Sequence, residues 1–167
     1  KLQFIHGEYT NVLKPIEGRF EACIILGNAL PHNSHNYRKI VESVRLALVP
    51  EKALIVLQIV NFEKLFKATK RFQDFNIGVS KYAKGHERAF VEFYDPPRVR
   101  GGDYTLNMAM FDFDGRRWRF RAMNSTPIAP LGKEQIISLL KSAGFTHTSF
   151  YGGRLLHPLF KENFKPL

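Results

Sequence analysis

The chain predicts an α/β fold, a parallel sheet interrupted by an antiparallel insertion, and three observations predict it. Two short apolar runs, Phe20 to Leu26 and Ala53 to Val60, flank a segment with helical periodicity. A middle stretch alternates at period two and is rich in aromatic residues. An amphipathic segment and a last strand-like run then restore the first pattern. Strand, helix and strand in that order make a crossover unit of a parallel sheet.

Taken in order, Leu2 to His6 is a short strand candidate ending at Gly7-Glu8-Tyr9. Phe20 to Leu26 is a second strand, too short and too continuously apolar for a surface helix. From Asn36 to Leu48 the apolar residues Ile40, Val41, Val44 and Leu48 recur at helical spacing, and Pro50 stops the helix. Ala53 to Val60 is almost wholly apolar, as expected of a parallel strand covered on both faces. Ala89 to Tyr94, Tyr104 to Phe113 and Arg116 to Met123 then alternate. Asp114-Gly115, between the last two, is the dipeptide preferred in a tight type I′ hairpin turn. These segments form an antiparallel insertion over about residues 85–127. Gly132 to Ala143 is an amphipathic helix with Ile136, Leu139 and Leu140 inward and Gly144 at its C-terminal cap. Thr146 to Tyr151 is the closing strand. No repeat, low-complexity tract or long linker divides the chain, so residues 1–167 read as a single domain. Its α/β elements lie in residues 1–60 and 132–152.

With 167 residues, 44% of them hydrophobic and 24% charged, the chain is long enough to bury one core. No apolar run approaches the ~20 residues of a membrane helix, and the first residues carry no signal-peptide pattern. The lone Cys23 excludes an internal disulfide and fits a reducing, cytoplasmic setting. Mid-strand between Ala22 and Ile24, it reads as a buried thiol rather than a nucleophile. The formal charge of +10 admits a nucleic-acid partner. The positives are spread, however, with one cluster from Arg116 to Arg121. There the sheet period puts Arg117, Arg119 and Arg121 on one face, and Arg116, Trp118 and Phe120 on the other. A solvated hairpin face accounts for that pattern, so nucleic acid stands as the second reading.

Ligands of open parallel sheets bind beyond the carboxyl ends of the strands. The ends available are Gly7-Glu8-Tyr9, Gly27-Asn28-Ala29, Val60-Asn61-Phe62 and Tyr151-Gly152-Gly153. Gly27 lets a ligand approach the backbone, and Asn28 offers a donor and an acceptor on a short arm. His32 either bonds a ligand or caps the helix that follows. His32 and His35 lack a third ligand in reach, so no metal site is expected. Asp95-Pro96-Pro97-Arg98 reads as a rigid loop. Phe62, Phe66, Phe72 and Phe75 read as core or pocket lining rather than a base-stacking platform.

Phe20-Glu21-Ala22 with Leu26-Gly27-Asn28 and His32 resembles the fourth-strand motif of class I S-adenosylmethionine-dependent methyltransferases, nearest the glycine/sarcosine N-methyltransferase group. Val60-Asn61-Phe62-Glu63 resembles that family's fifth-strand Asn-Tyr-Asp turn. Leu139 to Phe145, running into Tyr151-Gly152, resembles its last helix-to-strand passage. The resemblance spans Leu2 to Gly152 and implies a Rossmann-like sheet binding S-adenosyl-L-methionine. It implies that Glu8 accepts a hydrogen bond from the adenine amino group, with Tyr9 against the ring. Leu26, Gly27 and His32 would line the methionine end, Asn28 would position the methyl acceptor, and Asn61 would hold the turn shaping the acceptor pocket. The implied acceptor is a small molecule, an amine nitrogen being favoured; an RNA or protein acceptor and a non-catalytic binding module are the alternatives. Three departures stand out. The family's glycine-rich loop would lie upstream of Lys1, and its last strand beyond Leu167. The sheet is therefore expected to be incomplete at both ends, and this stretch alone inactive. Pro50-Glu51-Lys52 replaces the usual Pro-Gly-Gly. Val60 stands where glycine N-methyltransferases carry a carboxylate-binding arginine, which argues against glycine or sarcosine.

Overall fold

The computed structural model describes residues 2–67, 71–79, 87–152 and 165–166. Helix α1 (Tyr9–Val12) and a 3₁₀ turn (Lys14–Ile16) precede β1 (Ala22–Ile25), α2 (Tyr37–Ala47), β2 (Leu54–Leu57) and α3 (Phe62–Lys67). The chain continues through β3 (Phe72–Val79), β4 (Glu87–Asp95), β5 (Tyr104–Phe113) and β6 (Trp118–Ile128). Helix α4 (Lys133–Ser142), β7 (Tyr151–Gly152) and β8 (Lys165–Pro166) follow.

Strands β1 and β2 pair in parallel, Ala22 opposite Leu54 and Ile25 opposite Leu57, with α2 as the crossover. Cys23, Ile25, Ile55 and Leu57 share one face and pack with Ile40, Val41 and Val44 of α2 and Ile136, Leu139 and Leu140 of α4. Each such side chain, fully buried, contributes roughly 1.5–3 kcal/mol, so this layer holds the α/β body together. Burial pushes the Cys23 thiol pKa up, in keeping with an inert protonated group. The second face of the pair departs from expectation: Ile24 is 65% and Leu54 56% exposed. An apolar run shows what a strand tolerates on both faces, and here only one face is covered among the described residues.

Two expected strands are corrected. Leu2 to His6 is not a strand, and Leu2, Phe4 and Ile5 are exposed. Of Thr146 to Tyr151, only Tyr151 is in a strand; with Gly152 it pairs antiparallel to Lys165–Pro166 instead of closing the parallel sheet. A run of suitable residues becomes a strand only where a ladder partner accepts its backbone groups.

Helix α4 ends as its sequence indicates. Gly144 adopts φ 89°, Phe145 N–H donates to Leu140 O (3.0 Å) and Gly144 N–H to Lys141 O (3.0 Å), the two bonds of a Schellman motif. Its start is held from outside by Glu63 of α3, whose Oε1 accepts the Lys133 N–H (2.9 Å), and from within by Gln135, whose Oε1 accepts the Gly132 N–H (2.6 Å).

Strands β3 to β6 form a four-stranded antiparallel meander. Its last hairpin departs from type I′ geometry. Ladder pairing ends at Phe113 opposite Trp118, Asp114 N–H still donates to Arg117 O (3.3 Å), and of the two central residues only Gly115 has a positive φ (91°). Asp114 Oδ1 accepts from the N–H groups of Arg116 (3.0 Å) and Arg117 (3.1 Å), so a side-chain turn replaces the type I′ geometry. A bulge at Arg121 resets the register of β6. Arg119 nevertheless pairs with Asp114 (3.0 Å) and Arg121 with Asp112 (2.6 Å), while Arg88 takes the other Asp112 oxygen (2.8 Å). These arginine contacts hold the carboxyls of Asp112 and Asp114 below their ordinary pKa, for Asp114 chiefly through the backbone N–H groups of Arg117 and Arg116. On the same side of the sheet, Tyr94 and Ile128 bury Phe62 of α3 at the root of the meander. Phe62 meets Tyr94 edge-on at 6.4 Å.

Candidate functional site

The loop leaving β1 has an uncommon backbone. Gly27 (φ 67°) and Asn28 (φ 60°) are consecutive left-handed residues, and Asn28 is the one non-glycine with positive φ among the described residues. That conformation is open to glycine and tolerated by asparagine better than by other residues. A side chain on Gly27 would meet nothing within 4 Å, so the backbone shape rather than crowding requires glycine, and the space beside it is open.

Three hydrogen bonds lace this loop to the one leaving β2. Gly27 N–H donates to Gln58 Oε1 (2.8 Å), Asn28 N–H to Gln58 O (3.2 Å), and Val60 N–H to Asn28 Oδ1 (3.1 Å). The amide of Asn28 is thereby oriented, its Oδ1 engaged and its Nδ2 donor making no hydrogen bond within the described residues. Asn61 begins α3: its Oδ1 accepts the Lys64 N–H (2.9 Å), an N-cap bond. Leu26 is exposed beside Gly27, and His32 is exposed on the same loop.

Glu8 and Tyr9 lie elsewhere, at the start of α1. The Glu8 carbonyl accepts the Asn11 (2.9 Å) and Val12 (3.0 Å) N–H groups. With Gly7, Thr10, Asn33, Asn36 and Ile40 they line a groove of about 240 Å³. The structure thus brings Glu8 and Tyr9 together with Asn33 and Asn36, and gathers Leu26, Gly27, Asn28 and Asn61 at the ends of β1 and β2. Residues 26–36 connect the two halves, with His32 between them. Asn33 and Asn36 were not singled out as ligand residues from the sequence. Asn33 is fixed by its Nδ2 donating to Ala29 O (2.9 Å), a contact that spacing alone does not reveal. Their place in the loop that begins at Gly27-Asn28 is the one signal the sequence offered.

No group of three or more His, Cys, Asp or Glu side chains able to hold a metal occurs among the described residues. No described helix is long and apolar enough to cross a membrane.

No known family profile matches the sequence, and no curated protein matches it. Solved structures do match the backbone. DesVI of Streptomyces venezuelae superposes with a TM-score of 0.66 at 14% identity, covering 88% of this chain and 58% of that one. The sugar N-methyltransferase KedS8 from Streptoalloteichus gives 0.55 at 13% identity, covering 79% and 49%. An S-adenosylmethionine-dependent methyltransferase from Clostridium acetobutylicum gives 0.56 at 13% identity, covering 86% and 53%. The chain spans about half the length of the solved structures it matches. At these identities the likeness concerns the backbone, and the chain has the Rossmann-like α/β fold of class I methyltransferases, its parallel pair joined to an antiparallel sheet.

Proposed function

We propose that the protein transfers a methyl group from S-adenosyl-L-methionine to a small-molecule acceptor, at an amine nitrogen. The observation that carries this reading is the laced Gly27-Asn28 loop at the end of β1, in a chain whose backbone follows solved methyltransferases. The residues present fit part of such a cofactor. A groove of about 240 Å³ is smaller than the ~300–1,000 Å³ of a whole ligand pocket, and suits one ring-sized end. There the Glu8 carboxylate accepts from an exocyclic amine while the exposed Tyr9 ring offers a stacking face. Leu26, Gly27 and His32 then line the methionine end.

When bound, the cofactor supplies an electrophilic methyl group on a sulfonium sulfur. The protein's part is alignment and exclusion of water. Asn28 presents its Nδ2 toward the acceptor, held in that orientation by Val60. Asn61 fixes the turn that shapes the acceptor side. An amine that arrives deprotonated needs no dedicated base. Val60, in place of an arginine, leaves no carboxylate clamp there, which argues against glycine or sarcosine. The charge of +10 supports a second reading, an RNA or protein acceptor. Against it, Arg88, Arg119 and Arg121 are already ion-paired.

Calorimetry on the protein as encoded tests the reading. Binding of S-adenosyl-L-methionine is expected on the order of micromolar, at least ~10-fold weaker in Glu8→Ala. Asn28→Gly is expected to keep cofactor binding and lose methyl transfer. Absence of binding would leave a fold kept as a non-catalytic module.

A further inference from the structure

The exit of β1 is a tight turn whose peptide planes are set from β2. Ala29 N–H donates to Leu26 O (3.3 Å) across Gly27 and Asn28, and both central residues have positive φ, the pattern of a type I′ turn. Glycine restrains its own backbone less than any other residue, so what holds this turn lies outside it. Gln58, the first residue past β2, supplies the hold. Its N–H donates to Ile25 O (2.9 Å), its carbonyl accepts the Asn28 N–H (3.2 Å), and its side-chain Oε1 accepts the Gly27 N–H (2.8 Å). The first two are backbone contacts that any residue but proline can make. Only the third depends on glutamine.

Exposure does not account for the glutamine. Strand alternation places it after Leu54 and Val56, which are apolar although 56% and 41% exposed. Gln58 itself is half-buried, and it is the one polar residue between Ala53 and Val60. The turn it holds has an unused acceptor. A trans peptide is planar, so the Gly27 carbonyl points opposite to the Asn28 N–H, away from β2. No described residue donates to that carbonyl, and a Cβ on the exposed Gly27 would meet nothing within 4 Å. The loop therefore offers an oriented acceptor to its open side, suited to an ammonium group.

We infer that Gln58 is a positioning residue of this site: through Oε1 it fixes the Gly27 peptide against which the amino-acid end of the cofactor lies. The inference rests on the reading of the site as one for S-adenosyl-L-methionine. Without the Gln58 side chain, the plane between Leu26 and Gly27 keeps only the 3.3 Å bond from Ala29. The loss falls on the amino-acid end and spares the ring end at Glu8 and Tyr9.

Calorimetry with two ligands tests the assignment: S-adenosyl-L-methionine, and 5′-methylthioadenosine, which has the ring end and no amino acid. Gln58→Leu is expected to weaken S-adenosyl-L-methionine ~10-fold and to leave 5′-methylthioadenosine within about 2-fold of the wild type. Gln58→Glu keeps an oxygen at the same reach and is expected to restore S-adenosyl-L-methionine to within about 3-fold. Glu8→Ala, at the ring end, should weaken both ligands. If Gln58→Leu also weakens both alike, its role is merely structural and the inference is overturned. A Gln58→Leu protein that binds S-adenosyl-L-methionine as the wild type does overturns it equally. A wild type that does not bind S-adenosyl-L-methionine overturns the functional reading, and the inference falls with it. A readout free of ligand covers a Gln58→Leu protein that fails to fold. In Gln58→Glu the Gly27 amide resonance should move as the new carboxylate titrates near pH ~4, and it should stay still in the wild type. A resonance that ignores the new carboxylate overturns the contact itself.

Discussion

Asn28 combines two demands that are rarely met by one side chain. Its backbone occupies the left-handed region, and its Oδ1 closes the loop from β2 through Val60. The two can be separated by substitution. Asn28→Ala puts a Cβ-bearing residue without a helping side chain at φ 60°, at a cost of about 1–2 kcal/mol, and also loses a hydrogen bond of ~1 kcal/mol. Asn28→Gly loses only the latter, so urea denaturation should rank wild type above glycine above alanine. The sequence pointed to Asn28 as a candidate because an apolar run ended at Gly-Asn. It did not disclose the lacing, since Gln58 and Val60 stand some thirty residues away and no local pattern encodes such a partner. Asn61 shows the converse. Its bond to the Lys64 N–H is a local N-cap, of the kind neighbouring residues can announce.

Elements were legible where their stabilisation is internal. Helices α2 and α4 carry their apolar stripe, their stop at Pro50 and their cap at Gly144 in contiguous residues, and both form as expected. Strands β4, β5 and β6 announced themselves by alternation. Strand β3 was missed although Phe75, Ile77 and Val79 alternate with Asp74, Asn76 and Gly78 across its two faces; the register shift between Phe72 and Asp74 sets Phe72 out of that period. Phe72 and Phe75, read as core or pocket lining, are exposed on the sheet instead, whereas Phe62 is core; the Phe66 side chain lies outside the described residues.

Two predictions belong to this scale. Glu63→Ala removes the acceptor from the first turn of α4 and should cost about 1 kcal/mol, by thermal or urea unfolding, with Glu63→Gln largely restoring it. The second concerns the last hairpin. The folded pKa of Asp112 is depressed by Arg121 first and Arg88 next, so its contribution is present above the unfolded carboxylate value near ~4 and lost as pH falls through the folded one. The chain's single tryptophan, Trp118, packs 5.1 Å from Phe113 at the mouth of this hairpin. Its emission should red-shift as the pH drops below about 4, and Asp112→Asn should remove that acid step. High salt should weaken the effect, since the pairs are partly exposed.

On the scale of the whole molecule, the α/β class with an antiparallel insertion was readable because two hydrophobic periods alternate along the chain. Which faces would be covered was not readable. Among the described residues, the β1–β2 pair is apolar on both sides and sheltered on one, and the meander carries exposed aromatic side chains on one face. Composition records the tolerance of a residue for burial, whereas burial itself depends on what else is present.

The bond between Glu63 and Lys133 has a further meaning. Residues 70 positions apart meet at 2.9 Å, so the entire meander leaves and re-enters the α/β body through one narrow doorway. Topologically it is a long loop whose ends are already joined, and loop length is cheap once its ends meet. Such an excursion can be exchanged, lengthened or excised without rethreading the parallel strands. A short linker from α3 to α4 would keep the doorway closed, requiring only that Phe62 and its neighbours be given polar replacements. The same architecture lets one α/β body be fitted with different outer sheets while the strand ends that hold Gly27 and Asn28 stay where they are.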